Sequence, residues 1–265
     1  YRSGTARGLL IEGQATQLAP TTQDIGSGSW SRIGLQPISS NSAVAPDGTT
    51  TADKMIESVG SNNHWAYASL GASGFHHGYV FAKAAERSWI VLRTTGASGA
   101  QYAYFNLSTG AVGSVGAGLQ AEIRPWPNGW YQCIITATLS ASAPFVIGIA
   151  ESDGVNLYTG DGAAGLYVWG MSFGAGPVSS YIPNSGSGTA VRVGDFEGVF
   201  LTSSALSAAF PGGVGQPWTT VFQYRKGYSV SSDETLFALS AGSSAGSTNL
   251  LALQTNGTQA QAVHS

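Results

Sequence analysis

Short stretches in which hydrophobic and polar residues alternate recur along the chain, and turn-forming residues separate them. The turns follow one another at roughly ten-residue spacing, which is typical of a β-sandwich or β-barrel. No stretch sustains the period of about 3.6 residues that marks a helix. The pattern therefore predicts an all-β protein. Its first part is predicted to contain strands at 8–19, 51–58, 77–84, 88–94, 101–107, 118–124, 129–139, 145–150 and 166–173, with a short aromatic segment at 64–68.

The strand predicted at 166–173 organises the first domain and follows a glycine-rich turn. Because successive side chains of a strand point to opposite faces, its large residues are predicted to share one face. Such a face needs a second sheet to cover it, which makes this a central strand of a sandwich. The residues of the large face are Tyr167, Trp169, Met171 and Phe173.

A short polar linker at 184–188, with the sequence NSGSG, divides the chain into two predicted domains. We predict an antiparallel jelly-roll β-sandwich over 1–194 and a second, incomplete β-sandwich over 195–265. Roughly 70 residues in few strands is little for an independent sandwich core, so we expect the second domain to be cut short or to complete itself against another chain. Its predicted strands are 199–201, 218–225, 235–239 and 249–253, followed by a hairpin turn at 256–257.

The composition narrows the possible functions. Charged residues are 9% of the chain, against about 25% in a typical soluble protein. A net charge of -3 provides no basic surface for nucleic acid. No apolar run reaches the roughly 20 residues that span a membrane, so no membrane insertion is expected. The single cysteine, Cys133, excludes an intrachain disulfide and is predicted to be a small buried hydrophobe.

Six segments of the first domain together carry a family resemblance. The combination resembles the jelly-roll, carbohydrate-binding-module-like domains in tail, spike and fibre proteins of bacteriophages and related gene transfer agents, over about residues 7–194. Residues 195–265 are similar to the first half of concanavalin-like (laminin-G-like) sandwiches. The six segments are GLLIEGQATQLAP (8–20), APDGTTTADKM (45–55), YVFAKAAERSWIVLR (79–93), YFNLSTGAVG (104–113), NGWYQCIIT (128–136) and YTGDGAAGLYVWG with SYIP (158–183).

The resemblance implies sugar recognition on the surface of a virus-like particle. It implies bacterial cell-surface polysaccharide and other phage-particle proteins as partners, location on the virion, and a homo-oligomer, usually a trimer. It does not imply a particular sugar.

The aromatic content suits sugar binding, which needs flat rings against the C–H face of the sugar and a few polar groups for its hydroxyls. The chain has seven Trp and eleven Tyr. Trp65 and Trp126 are expected in loops, because Trp65 follows two asparagines and a histidine and Trp126 lies between two prolines. Burial in the core is the alternative for every aromatic residue, and it is the prediction for Trp130 and Trp169. The predicted carbohydrate-binding residues are Trp65, Tyr67, Trp89, Tyr102, Tyr104 and Trp126.

A structural calcium ion is a further prediction, since binding modules of the jelly-roll type often carry one beside an early loop. Glu12, Asp47 and Asp53 lie in the segments that carry the resemblance, and calcium takes six to eight oxygen ligands. The spacing matches no calcium-loop motif. The alternatives are a turn for Asp47 and solvent exposure for Asp53.

The residues give little support to an enzyme, and we predict none. Glu151 and Asp153 lack the partner that glycoside hydrolysis requires across a cleft. The pair His76 and His77, with Tyr79 nearby, has the residue types of a lyase base, but glycine-flanked histidines are expected to be solvated.

Three functions follow from the sequence. The first is a glycan-binding module that attaches a phage-like spike or tail fibre to its host. The second is a structural component of such a fibre, acting in assembly without a ligand. The third is an accessory module of a secreted polysaccharide-degrading enzyme.

Overall fold

The computed structural model describes residues 12–96, 99–140, 143–186 and 188–193, together with the backbone of 233–239, 251–256 and 260–264. The chain separates into two compact units, Tyr1–Asp195 and Phe196–Ser265. Within the described residues, strands account for almost all regular structure, and a short 3₁₀ turn at Pro127–Gly129 is the one helical segment. No helix in this part of the chain is long and apolar enough to cross a membrane. The prediction of an all-β fold is confirmed.

The first unit contains fifteen strands among its described residues. They are β1 (Ala15–Gln17), β2 (Ser31–Ile33), β3 (Ser39–Ala43), β4 (Ala52–Ile56), β5 (Gly60–Ser69), β6 (Gly74–Ala84), β7 (Trp89–Gly96), β8 (Gly99–Asn106), β9 (Ala111–Val115), β10 (Leu119–Trp126), β11 (Trp130–Leu139), β12 (Pro144–Ala150), β13 (Leu157–Gly160), β14 (Gly165–Ala175) and β15 (Ala190–Arg192).

Thirteen of these strands form two antiparallel layers. Sheet A has the order β3-β4-β14-β6-β11-β10, and sheet B has the order β9-β8-β7-β12-β5, with β2 and β13 also paired to β5. A single pairing, Leu139 with Gly96, joins β11 of sheet A to β7 of sheet B. The remaining strands, β1 and β15, pair with each other near the ends of the unit.

The main core lies between sheets A and B, because both contribute one apolar face to it. The two sheets approach closely: a Cβ atom on Gly78 of sheet A would lie 2.6 Å from the Phe145 ring of sheet B. Burying a phenylalanine side chain such as that of Phe145 stabilises a fold by about 1.5–3 kcal/mol. The core includes Val80, Cys133, Ile135, Leu166 and Val168 from sheet A, and Ile90, Leu92, Phe105, Phe145 and Ile147 from sheet B.

A second apolar cluster covers the outer face of sheet A. Trp130 and Trp169 are buried there, 1% and 4% exposed, as predicted for both. Chain segments before β4 and after β14 cover them: Trp130 Nε1 donates to the Val44 carbonyl, and the Tyr181 ring lies 4.7 Å from that of Trp169. The outer face of sheet A is therefore closed to solvent at its centre.

The prediction for the face of β14 was wrong. A register shift between Trp169 and Ser172 marks a β-bulge, and Gly170 there has a φ of 62°. The extra residue reverses the alternation. Trp169 consequently packs on the outer cluster, whereas Met171 and Phe173 enter the core between the sheets.

The expected exposure of several polar residues was also wrong. Asp53 is 1% exposed, and His76 and His77 are 6% and 2% exposed. Trp65, predicted in a loop, belongs to β5, and Trp126 is the last residue of β10.

The second unit is described by the backbone of three antiparallel strands, β16 (Asp233–Leu239), β17 (Leu251–Asn256) and β18 (Ala260–His264), in the order β16-β17-β18. The last two flank the turn predicted at 256–257. The strands predicted at 199–201 and 218–225 lie outside the described residues, and the concanavalin-like assignment stays a prediction.

Candidate functional site

The outer face of sheet B carries an aromatic surface. On β5, β7 and β8 the inward residues are apolar and buried, so alternation turns their neighbours outward. We call this outward set the aromatic platform. It consists of Trp65, Tyr67, Trp89, Tyr102 and Tyr104, with Arg93 among them.

The strand register arranges these side chains in rows across the sheet. Trp65 on β5 pairs with Gly148 on β12, which pairs with Val91 on β7, and Val91 pairs with Tyr104 on β8. A Cβ atom at Gly148 would lie 3.0 Å from Val91 and 3.1 Å from the Trp65 Cβ. The glycine therefore lets the two neighbouring side chains close over β12.

The next row holds Tyr67, Val146, Arg93 and Tyr102 in register. Tyr102 and Tyr104, on the same strand face, stack with their ring centroids 6.5 Å apart. Trp89, Tyr102 and Tyr104 pack with Val91 and Ala150 in one apolar cluster. Backbone pairing thus holds the platform in place, with Tyr104 buried at 6% exposure and the other four rings half-buried.

Arg93 lies between two rings of the platform. Its Cζ is 5.7 Å from the ring centroid of Trp65 and 5.7 Å from that of Tyr102. A guanidinium at this distance is attracted to the ring faces. Its Nε atom is buried and has no hydrogen-bond partner among the described residues.

A pocket of about 190 Å³ opens beside Arg93. It lies at the end of the platform where β12 begins. The residues that line it are Ile33, Trp65, Tyr67, Ser69, Arg93, Pro144 and Val146.

The loop after β12 bounds the opposite end of the platform. Tyr104 donates its hydroxyl hydrogen to Asn156 Oδ1 at 2.9 Å, and burial raises the pKa of Tyr104 to about 12, so the phenol stays protonated. The Asp153 carboxylate accepts hydrogen bonds from the backbone and hydroxyl of Ser114. A Cβ atom on Gly113 would collide with Asp153 and the Trp89 ring, so this loop and β9 pack tightly around Trp89.

Five of the six predicted sugar-binding residues thus share one surface, and Trp126 does not. Trp126 lies on sheet A, where its ring makes an edge contact with Phe81 at 5.2 Å. Sequence reasoning missed Arg93, Gly148 and Asn156. Arg93 could have been found, because it has the same strand parity as Trp89 on β7.

The three carboxylates predicted to bind calcium each have other partners. Glu12 pairs with Arg192 at 2.7 Å. Asp47 accepts hydrogen bonds from Thr49 within a turn, and Asp53 accepts them from the backbone N–H groups of Ile25 and Asn41. In the described part of the chain, no three His, Cys, Asp or Glu side chains are grouped to hold a metal ion. The calcium site built from these three residues stays a prediction.

The two histidines considered for catalysis are buried, and each lies against a backbone carbonyl. His76 Nδ1 lies 3.1 Å from the Gly74 carbonyl, and His77 Nδ1 lies 3.2 Å from that of Gly176. Burial lowers the pKa of His77 to about 4, which keeps it neutral, and raises the pKa of Tyr79 far above its ordinary value. Both side chains are buried on the covered outer face of sheet A, where their rings stack 6.1 Å apart.

Comparisons with known proteins find similarity to a solved structure. No protein-family model matches the chain, and no curated protein matches it. The solved structure comprises the CBM22-1 and GH10 modules of endo-1,4-beta-D-xylanase 10B from Clostridium thermocellum, complexed with xylohexaose. It is similar with a TM-score of 0.34 and 13% identity, over 66% of this chain and 30% of that one. The chain therefore spans less than a third of that structure, and the similarity carries no information about the ligand of this chain.

Proposed function

We propose that the chain is a non-catalytic glycan-binding module and that the aromatic platform is its binding surface. The observation that carries the proposal is a set of half-buried rings on one sheet face, fixed by the strand register: Trp65, Tyr67, Trp89 and Tyr102. Rigid aromatic faces give large apolar contact with little loss of conformational entropy. Ligand sites are lined mainly by apolar groups with a few placed polar ones, which matches the platform with Arg93 and Ser69.

The finer proposal is that the module belongs to a phage-like spike or tail fibre and attaches it to bacterial surface polysaccharide. Its support is the resemblance of six segments in order along the first unit. A trimeric fibre would present several copies at once, so that weak individual sites would give strong attachment to a repetitive polymer. The oligomeric state is measured by sedimentation equilibrium of the full chain.

Binding to an array of bacterial surface polysaccharides tests the function. We expect Trp65→Ala and Tyr102→Ala each to weaken binding at least about tenfold, because central aromatic contacts dominate recognition surfaces. Trp126→Ala is the matched control, since it removes a partly exposed tryptophan from sheet A. Loss of binding in the Trp126 variant alone would move the site to sheet A.

Absence of binding by the folded, oligomeric protein to every polysaccharide would reject the proposal. The aromatic platform would then be a packing surface, as in the purely structural function. Calcium is tested separately by comparing the melting temperature in calcium and in chelator: an increase with calcium would support a structural ion, and equal values would reject it.

A further inference from the structure

The aromatic platform has a single charged side chain, the guanidinium of Arg93. We propose that the pocket beside Arg93 binds the carboxylate of an acidic sugar, so that the glycan recognised by the platform contains uronic or other carboxylated residues. The inference rests on the proposed glycan-binding function and specifies its class of ligand.

The position of the guanidinium is fixed before any ligand arrives. It lies between the Trp65 and Tyr102 rings, with both centroids 5.7 Å from Cζ. These two residues belong to β5 and β8, so Arg93 on β7 extends over the surface instead of into solvent. A side chain held in this way loses little freedom on binding, which favours affinity.

Arg93 also has hydrogen-bonding capacity to offer. Within the described residues it forms no ion pair, and its buried Nε–H has no acceptor. Because Nε itself is buried, a carboxylate in the pocket would pair with the terminal N–H groups of the guanidinium, whose fork its two oxygens match.

The surroundings favour an anion at this position. The other residues that line the pocket are uncharged. The acidic residues of the neighbouring loop, Glu151 and Asp153, follow the Ala150 end of β12, whereas the pocket lies at the Pro144 end. Arg93 pairs with Val146, four residues before Ala150, so roughly 13 Å of strand separates it from this loop, beyond the screening length of about 8 Å at physiological salt.

The pocket is also small enough to select one part of a polymer. Its volume of about 190 Å³ is below the roughly 300–1,000 Å³ of pockets that enclose a drug-sized ligand. It therefore suits one sugar ring and its carboxylate, with the neighbouring rings of the chain lying along the platform.

The test compares each acidic polysaccharide with its own carboxyl-reduced form. The probes are polygalacturonate, polymannuronate, polyguluronate, hyaluronate and polysialic acid, each in native and reduced form, with xylan, mannan and dextran as neutral polymers. Binding to the full chain is followed by tryptophan fluorescence and by affinity electrophoresis. We expect at least one native polymer to bind about tenfold or more tightly than its reduced form, which is typical for a charge-assisted hydrogen bond.

Two variants assign the preference to Arg93. In Arg93→Gln the ratio between native and reduced forms is expected to fall to about one, because the carboxylate then has no cationic partner in the pocket. Arg93→Lys keeps the charge without the paired donors, and an intermediate ratio is expected. Melting temperatures of both variants check folding, and the native-to-reduced ratio of the unsubstituted chain tests the preference without any variant.

Equal binding of native and reduced forms would overturn the acidic-sugar inference and leave the glycan-binding function intact. A preference that persists in Arg93→Gln would also overturn it, because another group would then recognise the carboxylate. Failure of every polymer to bind would reject the glycan-binding function, and the inference with it.

Discussion

Glu57 is a carboxylate with no exposed surface, and four hydrogen bonds hold it. Arg87 donates two of them, at 2.8 and 2.6 Å, and the Tyr158 hydroxyl and the Asp161 backbone N–H donate the others. Burial opposes ionisation, but the bonds from Arg87 and Tyr158 outweigh it and hold the pKa of Glu57 below its ordinary value. Glu57, which directly follows β4, thereby connects the turn before β14 to that strand.

Removing the Glu57 carboxylate is expected to lower the free energy of unfolding strongly. Glu57→Ala leaves the Arg87 charge and two other donors unpaired, and breaking a buried pair costs about 3–5 kcal/mol. The control is Glu122→Ala, whose pair with Arg124 is largely exposed and is worth at most about 1 kcal/mol. Urea unfolding measures both, and equal losses would show that Glu57 acts as a surface charge.

Asp53 is expected to make stability depend on pH in the acid range. Burial raises its pKa from 3.8 to about 6, although hydrogen bonds from Asn41 and Ile25 favour the carboxylate. Because the folded pKa is the higher one, the folded state holds a proton that the unfolded state has lost between these values. The contribution of Asp53 to stability is therefore largest below pH 4 and decreases as pH rises to about 6, by up to about 3 kcal/mol.

Asp53→Asn isolates this effect from other titrating groups. Urea unfolding of both proteins at pH 4, 5, 6 and 7 gives the difference in free energy of unfolding at each pH. We expect the unsubstituted protein to lose stability relative to the variant as pH rises. A difference that stays constant would contradict the raised pKa.

Asp53 and Glu57 show that alternation along a strand does not predict which face is buried. The pattern at 51–58 puts Asp53, Met55 and Glu57 on one face, and the structure buries that whole face. The sequence could not assign it to the interior, because the partners of Glu57 lie about 30 and 100 residues away along the chain. Burial of a charge is decided by distant partners, which local patterns do not reveal.

At the scale of one element, β14 depends on its bulge. A Cβ atom on Gly170 would lie 2.9 Å from the Phe81 ring, and the φ of 62° is unfavourable for other residues. Gly176, just past the same strand, has a φ of 80° but nothing within 4 Å. Comparing an alanine at each position therefore distinguishes the effect of backbone strain from that of crowding.

We expect Gly176→Ala to lower the free energy of unfolding by about 1–2 kcal/mol, because the only obstacle to an alanine there is the positive φ. Gly170→Ala has the same unfavourable φ and also crowds Phe81, which adds about 1–3 kcal/mol to the loss of stability. Thermal and urea unfolding of the two variants test this. Equal costs would mean that the bulge relaxes to admit a methyl group.

Strand positions in the first unit were predictable, because most strands are long and have a buried face. The strands predicted at 77–84, 88–94 and 129–139 lie within or close to β6, β7 and β11. The bulge in β14 was not predictable, since one inserted residue changes no composition but reverses every later side chain. The short strands β2, β9 and β13 were missed because most of their side chains stay at least partly exposed.

For the whole first unit, the sheet faces have three different environments. The inner faces form the core, the outer face of sheet A is covered by its own chain, and the outer face of sheet B holds the aromatic platform. Alternation alone puts Tyr102 and Tyr104 on one face of β8, and the register of β7 with β8 adds Trp89 to that face. It could not separate Trp126 from them, because both sheets have aromatic outer faces and only the strand order distinguishes the two.

Cys133 offers a measure of how the sandwich opens as a whole. It is the single cysteine of the chain, it has no exposed surface in the core between sheets A and B, and burial strongly raises the pKa of its thiol. A thiol-specific reagent reacts with the thiolate, so we expect almost no reaction in native buffer and rapid reaction in denaturant.

If the core opens only by global unfolding, the reaction rate of Cys133 in native buffer is proportional to the population of unfolded protein. The rate should then rise in Glu57→Ala and Gly170→Ala by the factors that their losses of stability predict, and a rate unaffected by both substitutions would show that the sheets separate locally around β11.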